Sequence, residues 1–458
     1  MDRHAVIWSR SGSEPTKMGD LVVTDRETRF SYAERFLDAP DADGFSLLAP
    51  PTLYGREPVI FQTRPGFPFP PRLAAFVPGH GRGNIQRRIY ERLLSLRSPP
   101  PAPGVESDWE IVLLSARNGI GHLDVFRDDL AAEKWYSGQH GTAVSGDRRH
   151  AFWHMIREDI AQDLAPMDVA LVAQMLGPTP SVGGMIPKIL AAIPEGTPWE
   201  GGFASSGTRV LDDVACVDVL LKVEPREYEG VVALESLCLD LHSELGFPVP
   251  RHWKAEVDGM RLLAVERFDR DAGGSLPMES LFAIFAAGRA AFSGNEGTDW
   301  GEVAQWLEKL AMLVKMDVRA VLRDLYRRII LALCTGNGDM HLENVSLLGG
   351  SRNVRLAPVY DPAPMRAWPQ HDTRSAVPFP VEKGDDFFSS LAALGVAFGF
   401  TRREAWQTME EMLQATRDFA EHVMALPDVP DRRRERLAGI VTREHRLIED
   451  ALRHRDRL

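Results

Sequence analysis

The sequence predicts an α+β protein in which β-rich segments come first and helices come after. Three observations carry this. Short apolar or alternating runs bounded by turn residues recur before residue 130 and again between about 217 and 271. Beyond about 275, apolar residues return at helical spacing almost throughout, as in SLFAIFAAGRAAF, EVAQWLEKLAML and VRAVLRDLYRRIILALC. Between those helices sits TGNGDMHLENVSLL, Thr335 to Leu348, which delivers an acid (Asp339), a histidine (His341) and an amide (Asn344) into apolar surroundings. Burying such groups unpaired is costly, so their presence there points to a site.

Composition sets the outer bounds. At 458 residues the chain exceeds one ordinary core, so two or three domains are expected. We place them at 1–150, 151–270 and 271–458. Hydrophobic residues at 44% and charged residues at 26% are ordinary for a globular protein. A net charge of −12 argues against general nucleic-acid binding. Cys216, Cys238 and Cys334 lie in apolar runs and form no C-x-x-C, which reads as free core thiols in a reducing compartment. No secretory h-region and no bilayer-length apolar run is seen, and the expectation is a cytoplasmic protein.

In chain order, HAVIWS, DLVVT and TRFSYA read as strands of a small sheet. From Pro50 to Pro78 the chain is rich in Pro, Gly and aromatics and reads as an irregular connection. NIQRRIYERLLSL reads as a helix with a solvated basic face. WEIVLLSA reads as a strand, and NGIGHLDVF as a turn and a strand. Residues 150 to 176 read as helix; His150 and His154 stand four apart there, more in keeping with a surface or core pair than with a metal site. PTPSVGGMIPKILAAI places glycines and a lysine before an apolar run. That pattern suits either a hairpin turn or backbone amides approaching phosphate. VDVLLKVEP is a strand that presents Lys222, by default a solvated edge residue. GVVALESLCLDLHSELGF is a helix with Glu235 near its start, by default on the surface. VPRHWKAEV and MRLLAVERFDRD form a hairpin through Asp258 and Gly259. REAWQTMEEMLQATRDFAEHVM and the charged tail close the chain as helices.

Taken together, these signals fall in one order: glycine loop, strand Lys, helix Glu, strand-to-linker segment, helices, D-x-x-x-x-N and a last strand Asp. That is the order of a bilobal protein kinase. Phosphoryl transfer demands charge neutralisation and positioning more than covalent chemistry, and these residue types supply both.

At SVGGMIPK, LLKVEP, LESLCLDLHSELGF, LAVERFDR, GNGDMHLENVSLL and LAPVYD the sequence resembles the HipA family of bacterial serine/threonine kinases, the toxins of toxin–antitoxin modules. The resemblance implies a bilobal kinase-like fold with an extra β-rich N-terminal subdomain and an all-α C-lobe. It implies ATP and Mg²⁺ as cofactors. Asp339 would be the catalytic base, and Asn344 and Asp361 the Mg²⁺ ligands. Lys222, with Glu235 as its partner, would contact the phosphates. Gly183, Gly184, Met185, Ile186, Pro187 and Lys188 would form the phosphate loop, and Glu266, Arg267 and Phe268 the hinge that reads adenine through backbone groups. His341 and Tyr360 would line the nucleotide site, and Ser181 would be autophosphorylated. The loop departs from the family pattern at Met185, Ile186 and Pro187, and Pro187 removes a donor before Lys188. The resemblance further implies a protein substrate such as an aminoacyl-tRNA synthetase and a HipB-like helix-turn-helix antitoxin, with DNA reached only through that partner and no membrane. Two other readings stay open: a non-catalytic nucleotide-binding corepressor, and a small-molecule kinase on the same fold.

Overall fold

A computed structural model describes residues 2–39, 42–80, 84–138, 186–196, 198–211, 213–271, 274–380 and 387–454. The chain divides into two units that interleave in sequence. Met1–Glu227 with Pro250–Glu279 form the first, and Tyr228–Val249 with Ser280–Leu458 the second.

Among the described residues, the first unit holds two large sheets and a two-stranded ladder of Arg270–Asp271 with Gly274–Ser275. One comprises β1 (Arg3–Ser9), β2 (Thr16–Val23), β3 (Glu27–Tyr32), β4 (Val59–Gln62) and β5 (Leu123–Phe126) in the order β4-β3-β2-β1-β5. Its alternating residues bury one face, so Ile7, Leu21 and Phe30 meet Phe45 and Trp109 in one core. The second comprises β6 (Lys188–Pro194), β7 (Ala204–Ser205), β8 (Val210–Leu211), β9 (Val214–Val223), β10 (His252–Val257) and β11 (Met260–Glu266). Its order is β10-β11-β9-β6-β7, with β8 paired to β9. Ile189, Ile193, Val219, Leu221, Leu262 and Ala264 belong to its core. The β10–β11 turn places Asp258 and Gly259 at φ 51° and 74°, the left-handed pair that suits a tight hairpin.

Two stretches differ from the sequence expectation. WEIVLLSA is not a strand but the body of a helix, Val105–Ser115, that buries Trp109, Ile111, Val112 and Leu113. A short apolar run fits a strand or a helix buried on several sides. The acids Glu106 and Asp108 in its first turn are the helix signal. In the stretch expected to be irregular, Pro51–Tyr54 and Pro71–Ala74 form short helices, each opened by a proline, and Val59–Gln62 joins the sheet edge as β4, where buried Val59 alternates with exposed Ile60.

The second unit is mostly helical. Helix Val318–Thr335 runs through it with Leu325, Tyr326, Ile329, Ile330 and Leu333 buried. Asp317 caps its start by accepting from the Ala320 N–H at 3.0 Å. The unit also holds helices Val231–Glu244, Trp300–Leu310, Phe387–Ala397, Arg402–Ala415 and Asp431–His454. It is not purely helical, since Ser346–Leu348 pairs antiparallel with Arg355–Leu356. Among the described residues no helix is long and apolar enough to cross a membrane.

Candidate active site

The central helix, Val318–Thr335, ends at Gly336, which takes φ 78° and so turns the chain out of the helix. The loop beyond it is pinned through its backbone. Asn337 Oδ1 accepts the Asp339 N–H at 3.0 Å. The Asp339 carbonyl accepts both the His341 N–H at 2.8 Å and Asn344 Nδ2 at 3.0 Å. Asn295 holds the loop from another side: its Oδ1 accepts the Leu342 N–H at 2.9 Å and its Nδ2 donates to Glu343 at 3.1 Å. The residue types that make this loop conspicuous therefore also build it. Asn344 spends its amide N–H on the Asp339 backbone and keeps its carbonyl oxygen as a further acceptor.

Tyr360 and Asp361 reach the same place from another segment. The half-buried Tyr360 donates its hydroxyl proton to the Glu343 carbonyl at 2.8 Å and accepts from Ser346 at 2.6 Å. Asp361 sits at φ 55°, a strained conformation for a residue with a Cβ. Asn337, Asn344, Tyr360 and Asp361 line one hollow of ≈ 370 Å³, open to solvent, with His242 and Arg328. Half-buried His341 stands with Nδ1 2.8 Å from Glu343. Burial pulls its pKa down, but Glu343 and the fields of Asp339 and Asp361 outweigh this and hold it above the ordinary histidine value.

The first unit carries two buried lysines. Lys188 opens β6 and stands directly opposite Lys222 on β9. Their relative exposures are only 5% and 2%, although a lone strand lysine is by default a solvated edge residue. Buried Ile186 and half-buried Pro187 precede Lys188, and the Pro187 carbonyl accepts the Val223 N–H at 3.0 Å, extending the strand contact. Ser181, Gly183, Gly184 and Met185 lie outside the described residues, as do His150 and His154. In the second unit Glu235 is 1% exposed rather than on the helix surface.

The strand-end residues are heavily used by the protein itself. Glu266 takes Arg251 bidentately at 2.8 Å, and its N–H donates to the Arg251 carbonyl. The Arg267 N–H donates to the Asp218 carbonyl at 2.9 Å. The Arg267 guanidinium reaches the carbonyls of Asn118 and Gly119 at 3.0 and 2.6 Å and Asp269 at 2.9 Å. Asp269 in turn accepts the Gly121 N–H at 2.7 Å, and Arg270 donates to it at 2.9 Å. Phe268 is half-buried between them.

Three residues at the hollow escape a reading of the sequence: His242, Arg328 and Asn337. His242 lies two helical turns from Glu235, on the same face, and that spacing is the available signal. Its Nδ1 donates to the Cys238 carbonyl at 2.6 Å, and burial lowers its pKa to about 4, which leaves Nε2 as a neutral acceptor.

For cofactor fit, no cluster of three or more His, Cys, Asp or Glu suited to a metal is found among the described residues. Asn344 and Asp361 offer hard oxygen donors, few in number, which fits Mg²⁺, an ion that keeps waters and takes one or two carboxylates plus phosphate oxygens.

Among solved structures, the chain resembles HipA of Shewanella oneidensis MR-1, from a toxin–antitoxin complex with HipB and operator DNA. The TM-score is 0.62 at 14% identity, over 97% of both chains, a likeness of fold. Among curated proteins it is 27% identical over 182 residues to a Haemophilus influenzae protein named "Putative kinase". It is 26% identical over 155 residues to the Sinorhizobium fredii protein "Putative kinase Y4dM". These matches cover 38% and 31% of the chain, and 52% and 36% of those relatives' own lengths. The family model for the HipA-like C-terminal domain matches residues 180–420, more than half of the sequence and the whole of the Asp339 loop. The protein belongs to the HipA-like C-terminal domain family.

Proposed function

We propose that this protein is a Mg²⁺-dependent kinase that transfers the γ-phosphoryl group of ATP to a serine or threonine hydroxyl of a protein. One observation carries the reading. Asn344 and Asp361, separated in sequence by two short strands, line one hollow, and Asn344 belongs to the same backbone-pinned loop as Asp339. Kinase-named relatives and membership of the HipA-like family support it.

In this reading the Asp339 carboxylate accepts the proton of the attacking hydroxyl, and the fixed loop keeps it oriented. Asn344 and Asp361 hold Mg²⁺, which when bound neutralises phosphate charge. Lys188 and Lys222 bring positive charge to phosphate oxygens, with Glu235 as the acid associated with Lys222. The glycine loop from Gly183 covers the phosphates, and His341 and Tyr360 shape the nucleotide site. The Glu266-to-Phe268 segment is the proposed hinge that reads adenine through backbone groups, and its Glu266 and Arg267 amides donate within the protein. Ser181 is the proposed autophosphorylation site, where added negative charge would oppose ATP phosphates.

The proposed biological role is a cytoplasmic, growth-inhibiting toxin acting on a translation component such as an aminoacyl-tRNA synthetase. A HipB-like helix-turn-helix antitoxin is the proposed partner, and the HipB named in the Shewanella complex supports that choice. The test is incubation with labelled ATP and Mg²⁺, alone and with cell lysate, beside Asp339→Ala. Transfer that requires both Mg²⁺ and Asp339 is expected. Labelling absent from the wild type, or unchanged in the variant, overturns the proposal.

A further inference from the structure

A buried carboxylate on the last helix, Glu444, sits in no part of the site described above. It lies more than a hundred residues beyond Asp339 in sequence and is 1% exposed. A buried charge of this kind is retained only with close partners. Arg366 and Arg374 supply them. Glu444 Oε1 accepts Arg366 Nη1 at 2.9 Å and Arg374 Nε at 3.2 Å, and its Oε2 lies 3.1 Å from Arg374 Nη2.

Both arginines belong to the segment C-terminal to Asp361, and that segment rests on the Asp339 loop. The Arg366 N–H donates to the Gly336 carbonyl at 3.3 Å. A Cβ on Gly338 would collide with the Thr373 carbonyl oxygen, so the segment's backbone occupies the space a side chain would need. The Arg366 side chain, buried, also donates through Nε to Asp372 at 3.1 Å. Arg436, on the same helix as Glu444, closes the clamp from outside: Nε donates to the Arg366 carbonyl at 3.1 Å and Nη2 to Asp372 at 2.7 Å. The loop's Gly336-to-Gly338 floor is thus held by a segment whose position is set by charges on helix Asp431–His454.

We infer that Glu444 is a positioning residue for catalysis: through Arg366 and Arg374 it fixes the segment against which the Asp339 loop is braced. It touches no reacting group. The inference rests on the reading of Asp339 as catalytic base. Misplacing a base by a fraction of an ångström lowers the rate more than it weakens nucleotide binding, because the lysines and glycine loop proposed to meet the phosphates lie outside the braced loop.

The test compares full-length wild type, Glu444→Gln, Glu444→Asp, Asp372→Asn and Asp339→Ala. Rates are read as ADP release and label transfer at saturating MgATP, affinity by titration with a fluorescent ATP analogue, and folding by thermal melting. In Glu444→Gln the rate is expected to fall about tenfold or more while analogue affinity stays within about twofold. Glu444→Asp should recover part of the rate, and Asp372→Asn, at an exposed position, should show a smaller loss in a fully folded protein. A folded Glu444→Gln with the wild-type rate overturns the inference. So does a rate that falls only in step with affinity and folded fraction. If Glu444→Gln does not fold, Asp372→Asn decides, and a wild-type rate there overturns the inference. If the wild type releases ADP no faster than Asp339→Ala, the kinase reading fails instead. Amide hydrogen exchange of residues 337–341 then tests the brace alone: faster exchange in Glu444→Gln supports it, and unchanged exchange overturns it.

Discussion

The end of β11 and the Asp339 loop are the two most conspicuous polar motifs in the chain, and the protein uses them in opposite ways. At Arg267-Phe268-Asp269-Arg270 the polar side chains are spent inside the molecule. Two guanidinium groups and a carboxylate satisfy the carbonyls of Asn118 and Gly119 and the amide of Gly121. At Gly338-to-Asn344 the bonds run mainly to the backbone, while Asn344 lines the hollow with Asp361. Both motifs are specific, but specificity alone does not distinguish a staple from a site. The distinction comes from asking where each polar atom's hydrogen bonds go.

The contrast breaks if either region behaves like the other. The largest expected effect is at Asp339. Asp339→Ala should cost about 10³-fold in phosphoryl transfer and leave the thermal midpoint nearly unchanged. A large loss of stability there would mean that the loop, too, is a staple. Next is Asp269→Ala, which leaves Arg267 and Arg270 buried without their carboxylate and should destabilise the first unit by about 3–5 kcal/mol in denaturant unfolding. Burial alone would raise the Asp269 pKa, but the two arginines hold it well below the carboxylate range. Its stabilising contribution is therefore complete above the ordinary carboxylate pKa and is lost as pH falls through its depressed value. A variant as stable as wild type would show that the network is dispensable.

Legibility in the sequence splits along the same line. Strands with clear alternation and helices with a capped, periodic face are readable. Motif order alone supplies the Lys222, Asp339, Asn344 and Asp361 grouping. Burial is not readable: Lys222 and Glu235 look like surface residues by type, and only three-dimensional packing shows them at 2% and 1% exposure. Helix Val105–Ser115 is hidden because WEIVLLSA is apolar at nearly every position, which erases the periodicity that separates helix from strand. The Glu444 clamp is invisible for a different reason. Its partners Arg374 and Arg366 are 70 and 78 residues away, and within its own helix Glu444 is one acid among many charges.

Two histidines in the second unit sharpen the contrast through pH. His242 is pushed down to about 4 by burial, so the fold favours its neutral form. Its contribution is complete above about 6.5 and drains as pH falls toward about 4, by on the order of 3 kcal/mol in all. His242→Phe should flatten that acid slope in unfolding curves collected across this range. An unchanged slope would assign the acid sensitivity to the carboxylates instead.

His341 runs the other way and gives the smallest effect. Its pKa is raised, so its contribution is complete below about 6.5 and is lost as pH rises through the elevated value. Glu343, held low chiefly through His341 against the opposing pull of burial, is the nearest cause. The pair is partly exposed, with side chains 20% and 38% accessible, so breaking it should cost below about 1 kcal/mol of stability. Glu343→Gln should nonetheless lower the His341 pKa in an NMR titration. If the pKa stays where it was, the fields of Asp339 and Asp361 are what raise it. Substituting Asp361 should then move it, which would tie the histidine's protonation directly to the charge at the proposed metal-binding position.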